Sequence, residues 1–333
     1  MFVEDSLSME LAIETKGLTK RYGSLTAVNK LNLRVKRNTI HGFLGPNGAG
    51  KTTTIKILVG LLRPDEGSVK VLGQELHGEE AGFFHAFYEH ADSRLGIGYV
   101  PELPKFPKHL KGAELLDIYG RMYGMTEPQR KEQVPKLIEM VGLKGRENDL
   151  IGKYSKGMQQ RIGIAQALLN NPDLVILDEP SLGLDPVGMV EVRELVKKIA
   201  REGVTVFVSS HLLFEVEQIC TDVTIINRGT ALVSDTLPNV SGLLAGPALL
   251  HVEVAKISKS VVNGVKSLPF VSSVVQTGST LRIQINTHED VRVQVSQEVT
   301  RAGGIIIGMS QEKSNLEDVF IQLISKDQGG KTR

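Results

Sequence analysis

The run Gly45-Pro46-Asn47-Gly48-Ala49-Gly50-Lys51-Thr52-Thr53 has the residue types and spacing of a phosphate cradle. It fits G-x-x-x-x-G-K-[ST]. The apolar run Ile40–Leu44 before it reads as the end of a buried strand, and Thr54–Leu58 after it has helix-forming character. Glycines let backbone amides approach an anion closely, and the positive end of a helix adds to the attraction. Asn47, Gly48, Ala49, Gly50, Lys51, Thr52 and Thr53 are thus the candidate phosphate contacts. Lys51 brings a point charge for the β- and γ-phosphates, and the Thr52 hydroxyl is a ligand type suited to Mg²⁺. By itself the motif indicates a nucleotide without saying which protein class uses it.

A second group of candidates ends another apolar run, Leu174-Val175-Ile176-Leu177-Asp178-Glu179. A buried strand that ends in two acids puts both at the carboxyl edge of a sheet, where a phosphate loop also opens. In this reading Asp178 holds the Mg²⁺, and Glu179 orients or deprotonates a water beside the γ-phosphate. Acids at an ordinary strand-to-loop transition are the competing reading. Ser155 and Gly157 precede a helical pattern with Ile162, Ala165 and Leu168. Ser155 suits a helix N-cap, and Gly157 leaves room for a phosphate at the free amides. A plain N-cap would use the same residues.

These side chains need a scaffold, and the apolar runs supply one. Leu11–Ile13, Leu31–Val35 and Ser68–Leu72 read as strands, and Val204–Val208 as a buried one. Helical spacing runs from Lys111 to Met140, with helices also expected over Met189–Arg201 and near Phe214–Cys220. Strands and helices alternate as around a parallel sheet. After Pro238 the pattern changes. Four short strands are expected at Leu249–Val254, Phe270–Val275, Leu281–Ile285 and Ile305–Ile307. Helices fit near Lys256–Lys266, His288–Ala302 and Asn315–Ser325. The order βαββαβ predicts a small ferredoxin-like α+β domain.

The 333 residues allow one large domain or two modest ones. The formal net charge of +1 gives no electrostatic reason to expect nucleic acid. A single cysteine, Cys220, rules out an internal disulfide and a cysteine-built metal cluster, which fits a reducing compartment. No apolar run approaches the about 20 residues that cross a bilayer. The start, Met1–Leu11, has three acidic residues and no apolar core, so no secretory signal is expected there.

Six motifs in order make the chain resemble the ATP-binding subunit of an ABC transporter over residues 11–236. They are the phosphate loop, Ile97–Glu102, Tyr154–Arg161, Leu177-Asp178-Glu179-Pro180, Gly183-Leu184-Asp185-Pro186 and Ser210-His211. The resemblance implies an α/β P-loop NTPase core of ABC type, with an antiparallel β layer and a helical subdomain over about 102–170. The expected domains are 9–237 for the ATPase, 238–326 for an accessory α+β unit and 327–333 for a polar tail. The cofactors implied are ATP and Mg²⁺. The partners implied are a second copy of the chain, closing an ATP sandwich, and separate integral membrane subunits. The location implied is cytoplasmic, on the inner face of the membrane. Ser155 and Gly157 would contact the partner copy's ATP. His211 would reach the γ-phosphate beside Glu179, Asp185 would lie at the dimer interface, and Tyr22 would stack on adenine or else pack within the fold.

Three departures from the family pattern stand out. Glu102 replaces the usual glutamine, adding a possible metal ligand and a negative charge near the phosphates. The signature reads Tyr154-Ser155-Lys156-Gly157-Met158 in place of LSGGQ, keeping the serine and the second glycine. The segment Gly78–Arg94, with Phe83, Phe84, Phe87 and Tyr88, is long for this place: an extended loop or a subunit-specific surface. The variant signature, Glu102 and the ending Leu316–Phe320 resemble the branch that energises export of drugs, antibiotics, lipids or polysaccharides. The alternative is a soluble ABC-type ATPase acting on a ribosome, DNA or a protein complex, though such proteins usually carry two ATPase units or a coiled-coil insert.

Overall fold

The computed structural model describes residues 11–76, 96–243, 248–287, 290–312 and 320. The aromatic-rich segment Gly78–Arg94, the polar tail and all of the last expected helix except Phe320 lie outside the described residues. The chain divides into two compact units at Leu237/Pro238.

The first unit opens with β1 (Leu11–Tyr22) and β2 (Leu25–Lys36). Next come β3 (Ile40–Leu44), the glycine loop and α1 (Lys51–Leu58), then β4 (Glu66–Val71) and β5 (Gln74–Glu75). After β6 (Ile97–Val100) stand three helices: α2 (Gly112–Met122), α3 (Glu127–Met140) and α4 (Lys156–Leu168). The unit continues with β7 (Leu174–Asp178), α5 (Pro186–Arg201), β8 (Thr205–Ser210), α6 (Leu213–Ile219), β9 (Asp222–Asn227) and β10 (Thr230–Thr236).

Two sheets form this unit. One is antiparallel, in the order β2-β1-β4-β5. The other has the order β10-β9-β3-β8-β7-β6, parallel except for β10. Strands β3, β7 and β8 are buried at every position, as parallel strands covered on both faces must be. A single core cluster joins Ile13, Leu31 and Leu33 of the first sheet, Ile55, Ile57 and Leu58 of α1, and Phe43, Ile176 and Phe207 of the second. At eight residues α1 is too short to be stable alone. Burial of its three apolar side chains, at about 1.5–3 kcal/mol each, is what fixes it between the sheets. The parallel register sets Leu44 beside Ser210, and Asp178 beside Ser209. The phosphate loop, the two acids and His211 therefore leave the sheet at one edge.

Two features of this unit depart from the sequence reading. β1 does not stop at Ile13 but runs to Tyr22. Gly17, at φ +59°, sits within a register shift between Thr15 and Leu18, and that irregularity breaks the period of two. The stretch Lys111–Met140 is two helices, parted at Tyr123–Thr126, where Thr126 and Gln129 form a capping box.

In the second unit α7 (Leu237–Leu243) is followed by β11 (Ala248–Val254), α8 (Lys259–Lys266) and β12 (Val271–Thr277). Then come β13 (Thr280–Ile285), α9 (Arg292–Arg301) and β14 (Ile306–Glu312). The sheet is antiparallel in the order β12-β13-β11-β14, which with α8 and α9 is the ferredoxin-like arrangement. Its core draws Leu250 and Val252 from β11, Val261 and Val265 from α8, and Val295 and Val299 from α9. The last strand runs well past Ile307, because Gly308 interrupts its apolar pattern without ending the pairing with β11.

Candidate active site

Glycine is required at two points of the phosphate loop for different reasons. Gly50 has φ +103°, and a methyl group on it would collide with the Ala27 carbonyl oxygen. Gly48 has φ +79°, yet a methyl group there would meet nothing within 4 Å. The first position lets the loop pack against β2, whereas the second leaves it open outward. No side chain caps α1 at Gly50, so no side-chain cap takes up the helix's leading amides, which suit an anion. Lys51 is 6% exposed. Its Nζ donates to the Gly45 carbonyl at 2.7 Å and pairs with Glu179 Oε1 at 3.1 Å.

The acids at the end of β7 occupy different surroundings. Asp178, 1% exposed, accepts a hydrogen bond from Ser209 Oγ at 2.6 Å through Oδ1. Its Oδ2 is buried without a well-formed hydrogen bond. Burial pushes the carboxyl above the usual carboxylate range, opposed by hydrogen bonding from Ser209 and Thr52. An oxygen held in this way beside a threonine hydroxyl is the hard donor set that Mg²⁺ takes, with phosphate oxygens completing the shell. Among the described residues no cluster of three or more His, Cys, Asp or Glu side chains could hold a metal unaided. The site fits Mg²⁺ that arrives with phosphate.

A stability prediction follows from the Asp178 surroundings. The folded pKa lies above the unfolded one, so the folded state loses stability as pH rises between them. Asp178→Asn removes that cost. Its melting temperature at pH 7 should exceed the wild type's, and the gain should shrink as pH falls into the ordinary carboxylate range. Thermal denaturation at pH 7 and in that range checks it, and equal melting at pH 7 would remove the burial argument.

Glu179 is 8% exposed and its backbone is left-handed, at φ +47°. Oε1 faces Lys51, while Oε2 lies 2.7 Å from His211 Nδ1 and accepts the His211 backbone N–H at 3.3 Å. Lys51, Glu179 and His211 thus form a connected chain, with Asp178 and Thr52 adjoining it. Glu102 is half-buried on the same side: its charge and that of Asp178 help burial push the Tyr99 phenol up to about 12.

Three candidates stand apart from that chain. Ser155 caps α4 by accepting the Met158 N–H at 3.2 Å, and it is exposed. A methyl group on Gly157 would meet only Leu184 and Ser155, each at 4.0 Å, so no internal contact demands a glycine there. Tyr22 is 48% exposed, with Lys20 Nζ 5.9 Å above its ring, so it is not a core tyrosine. Among the described residues none of the three hydrogen-bonds to the Lys51–Glu179–His211 chain. Asp185 caps α5 by accepting the Gly188 N–H at 2.8 Å.

Sequence reasoning missed Ser209. This fully buried hydroxyl accepts the Glu179 N–H at 2.9 Å and donates to Asp178 Oδ1. One side chain therefore orients both acids. The available signal is the serine pair Ser209-Ser210 that ends a mostly apolar strand just before His211.

With that geometry established, known proteins can be set beside it. A family model described as "ABC transporter" matches residues 28–182. The chain is 35% identical over 317 residues to the bacitracin transport ATP-binding protein BcrA of Bacillus licheniformis, covering 95% of this chain and 98% of that protein. It is 32% identical over 317 residues to the linearmycin resistance ATP-binding protein LnrL of Bacillus subtilis (strain 168), covering 94% and 98%. A solved ATP-binding subunit of an ABC transporter superposes with a TM-score of 0.60 at 29% identity, covering 70% of this chain and 92% of that one.

Proposed function

Since this chain belongs to the ATP-binding subunits of ABC transporters and is an ATPase, we propose that it hydrolyses ATP with Mg²⁺ in a dimer of two copies and powers export through separate membrane subunits. The observation that supports this best is the chain Lys51–Glu179–His211, beside a buried Asp178 oxygen that lacks a well-formed hydrogen bond.

Each residue has a distinct task in this reading. The loop amides from Asn47 to Thr53 bind the phosphates, and Tyr22 offers an open ring for the base. Asp178 and Thr52 hold the cation, and Glu102, whose charge acts on the same Tyr99 phenol as that of Asp178, adds a ligand or a water contact. When bound, Mg²⁺ neutralises charge on the β- and γ-phosphate oxygens. A γ-phosphate that engages Lys51 loosens its pairing with Glu179 Oε1. That oxygen is then free to accept a proton from the attacking water, while His211 holds Oε2. Ser155 and the α4 amides beside Gly157 close the site from the second copy, and Asp185, in the loop after Glu179, lies toward that interface. The charge that develops is stabilised from both sides.

No helix among the described residues is long and apolar enough to cross a membrane. Attachment to the inner face of the membrane is therefore proposed through partner subunits. The names of the two relatives, bacitracin transport and linearmycin resistance, support an export role.

The metal requirement is testable directly. Phosphate release by the purified chain should fall by about 100-fold or more in EDTA and recover on adding Mg²⁺, with ATP still bound in EDTA. Hydrolysis that EDTA leaves untouched would overturn the roles given to Asp178 and Thr52.

A further inference from the structure

A carboxyl unused by this reaction lies behind the two loops that carry Glu179 and His211. Glu215, in the first turn of α6, is 7% exposed. It borders a cavity of about 10 Å³ that is also lined by Pro180, Ser181, Arg193 and Ser210, about enough for one water. Ser181 lies two residues after Glu179, and Ser210 immediately precedes His211. Ser181 lines the cavity with Glu215 and favours the charged form of its carboxyl. Glu215 Oε2 is 3.5 Å from Ser210 Oγ, which also accepts the Leu212 N–H at 2.9 Å. One side chain thus joins the loop that follows the acid to the residue that precedes the histidine.

We propose that Glu215 is a positioning residue for hydrolysis, holding the Glu179 and His211 loops in the register that brings His211 Nδ1 within 2.7 Å of Glu179 Oε2. The choice of residue favours this over simple packing. Val192, Val196, Val208 and Val216 line the same cavity, so an apolar side chain could fill the place without the cost of burying a carboxyl. Burial pushes the Glu215 carboxyl up, and Ser181 only partly offsets it. Among the described residues the cation that helps is Arg193, whose guanidinium lies over the Phe214 ring at 5.3 Å. A group that costs stability to bury but faces both serines across one small cavity supplies direction rather than stability. The proposal rests on the roles given above to Glu179 and His211.

Steady-state kinetics of the full chain test it. Glu215→Ala should lower kcat by about tenfold or more while KM for ATP moves less than about twofold, since misplaced groups cost turnover and the phosphate loop is untouched. Glu215→Gln, which keeps the length and the polar reach to both serines with one contact reversed in direction, should retain kcat within about twofold. Adding Ser181→Ala to Glu215→Ala should cost little more, because both remove one interaction. Wild-type kcat in Glu215→Ala, or equal losses in the Gln and Ala variants, would overturn the proposal. If Glu215→Ala does not fold, Ser181→Ala alone decides: kcat should fall at least about threefold at an unchanged melting temperature, and no fall refutes the proposal. An active Glu179→Gln enzyme would refute the underlying site, whereas an inactive one beside a fully active Glu215→Ala would refute only this inference.

Discussion

Glu179→Gln should abolish nearly all turnover, lowering phosphate release by about 10²–10⁴-fold while ATP binding persists. The substitution keeps the length and shape that seat this side chain between Lys51 and His211. What it removes is the capacity to take a proton from water. Eliminating a negative charge 3.1 Å from Lys51 also favours bound phosphate over the empty loop. The variant should therefore accumulate as an ATP-bound dimer, visible by light scattering as a doubling of mass with ATP. Near-normal phosphate release would take Glu179 out of the reaction, whatever the dimer does.

The second large effect is expected at a position remote from that chain. Ser155→Arg should leave nucleotide binding by the single copy intact but prevent ATP-driven dimer formation, lowering turnover about 100-fold. Ser155 is exposed, and the space outside Gly157 is open. A guanidinium placed there occupies the volume that a partner's phosphates need. The lost N-cap itself costs only about 1 kcal/mol, so folding should survive. Ser155→Thr, which keeps a capping hydroxyl, is the control and should dimerise. If the arginine variant formed ATP-dependent dimers as before, the composite site would be wrong.

Motif order makes the loop, the two acids and the histidine legible in the sequence, because each sits where a strand meets a turn. The sheet could be foreseen from all-apolar runs such as Leu174–Leu177. Less legible was anything set by irregularity. The bulge at Gly17 hid most of β1, and Gly308 hid most of β14. The hairpin β9–β10 escaped notice because β10 is half-exposed and polar at Ser234, Asp235 and Thr236. Ser209 was passed over for a different reason. A serine in a buried strand gives no sign in sequence that its hydroxyl spans two neighbouring acids, since that depends on β7 and β8 lying side by side.

The left-handed backbone at Glu179 sets local strain against a buried ion pair at a single residue. A non-glycine residue held in that region costs on the order of 1–3 kcal/mol, and glycine would adopt it freely. Glycine at position 179 would relieve that strain but leave the buried Lys51 ammonium without its partner, a loss of about 3–5 kcal/mol, so selection for thermal resistance alone should keep an acid there. The residue that serves the chemistry thus also holds the lysine of the phosphate loop in place, and the strained backbone is tolerated for both.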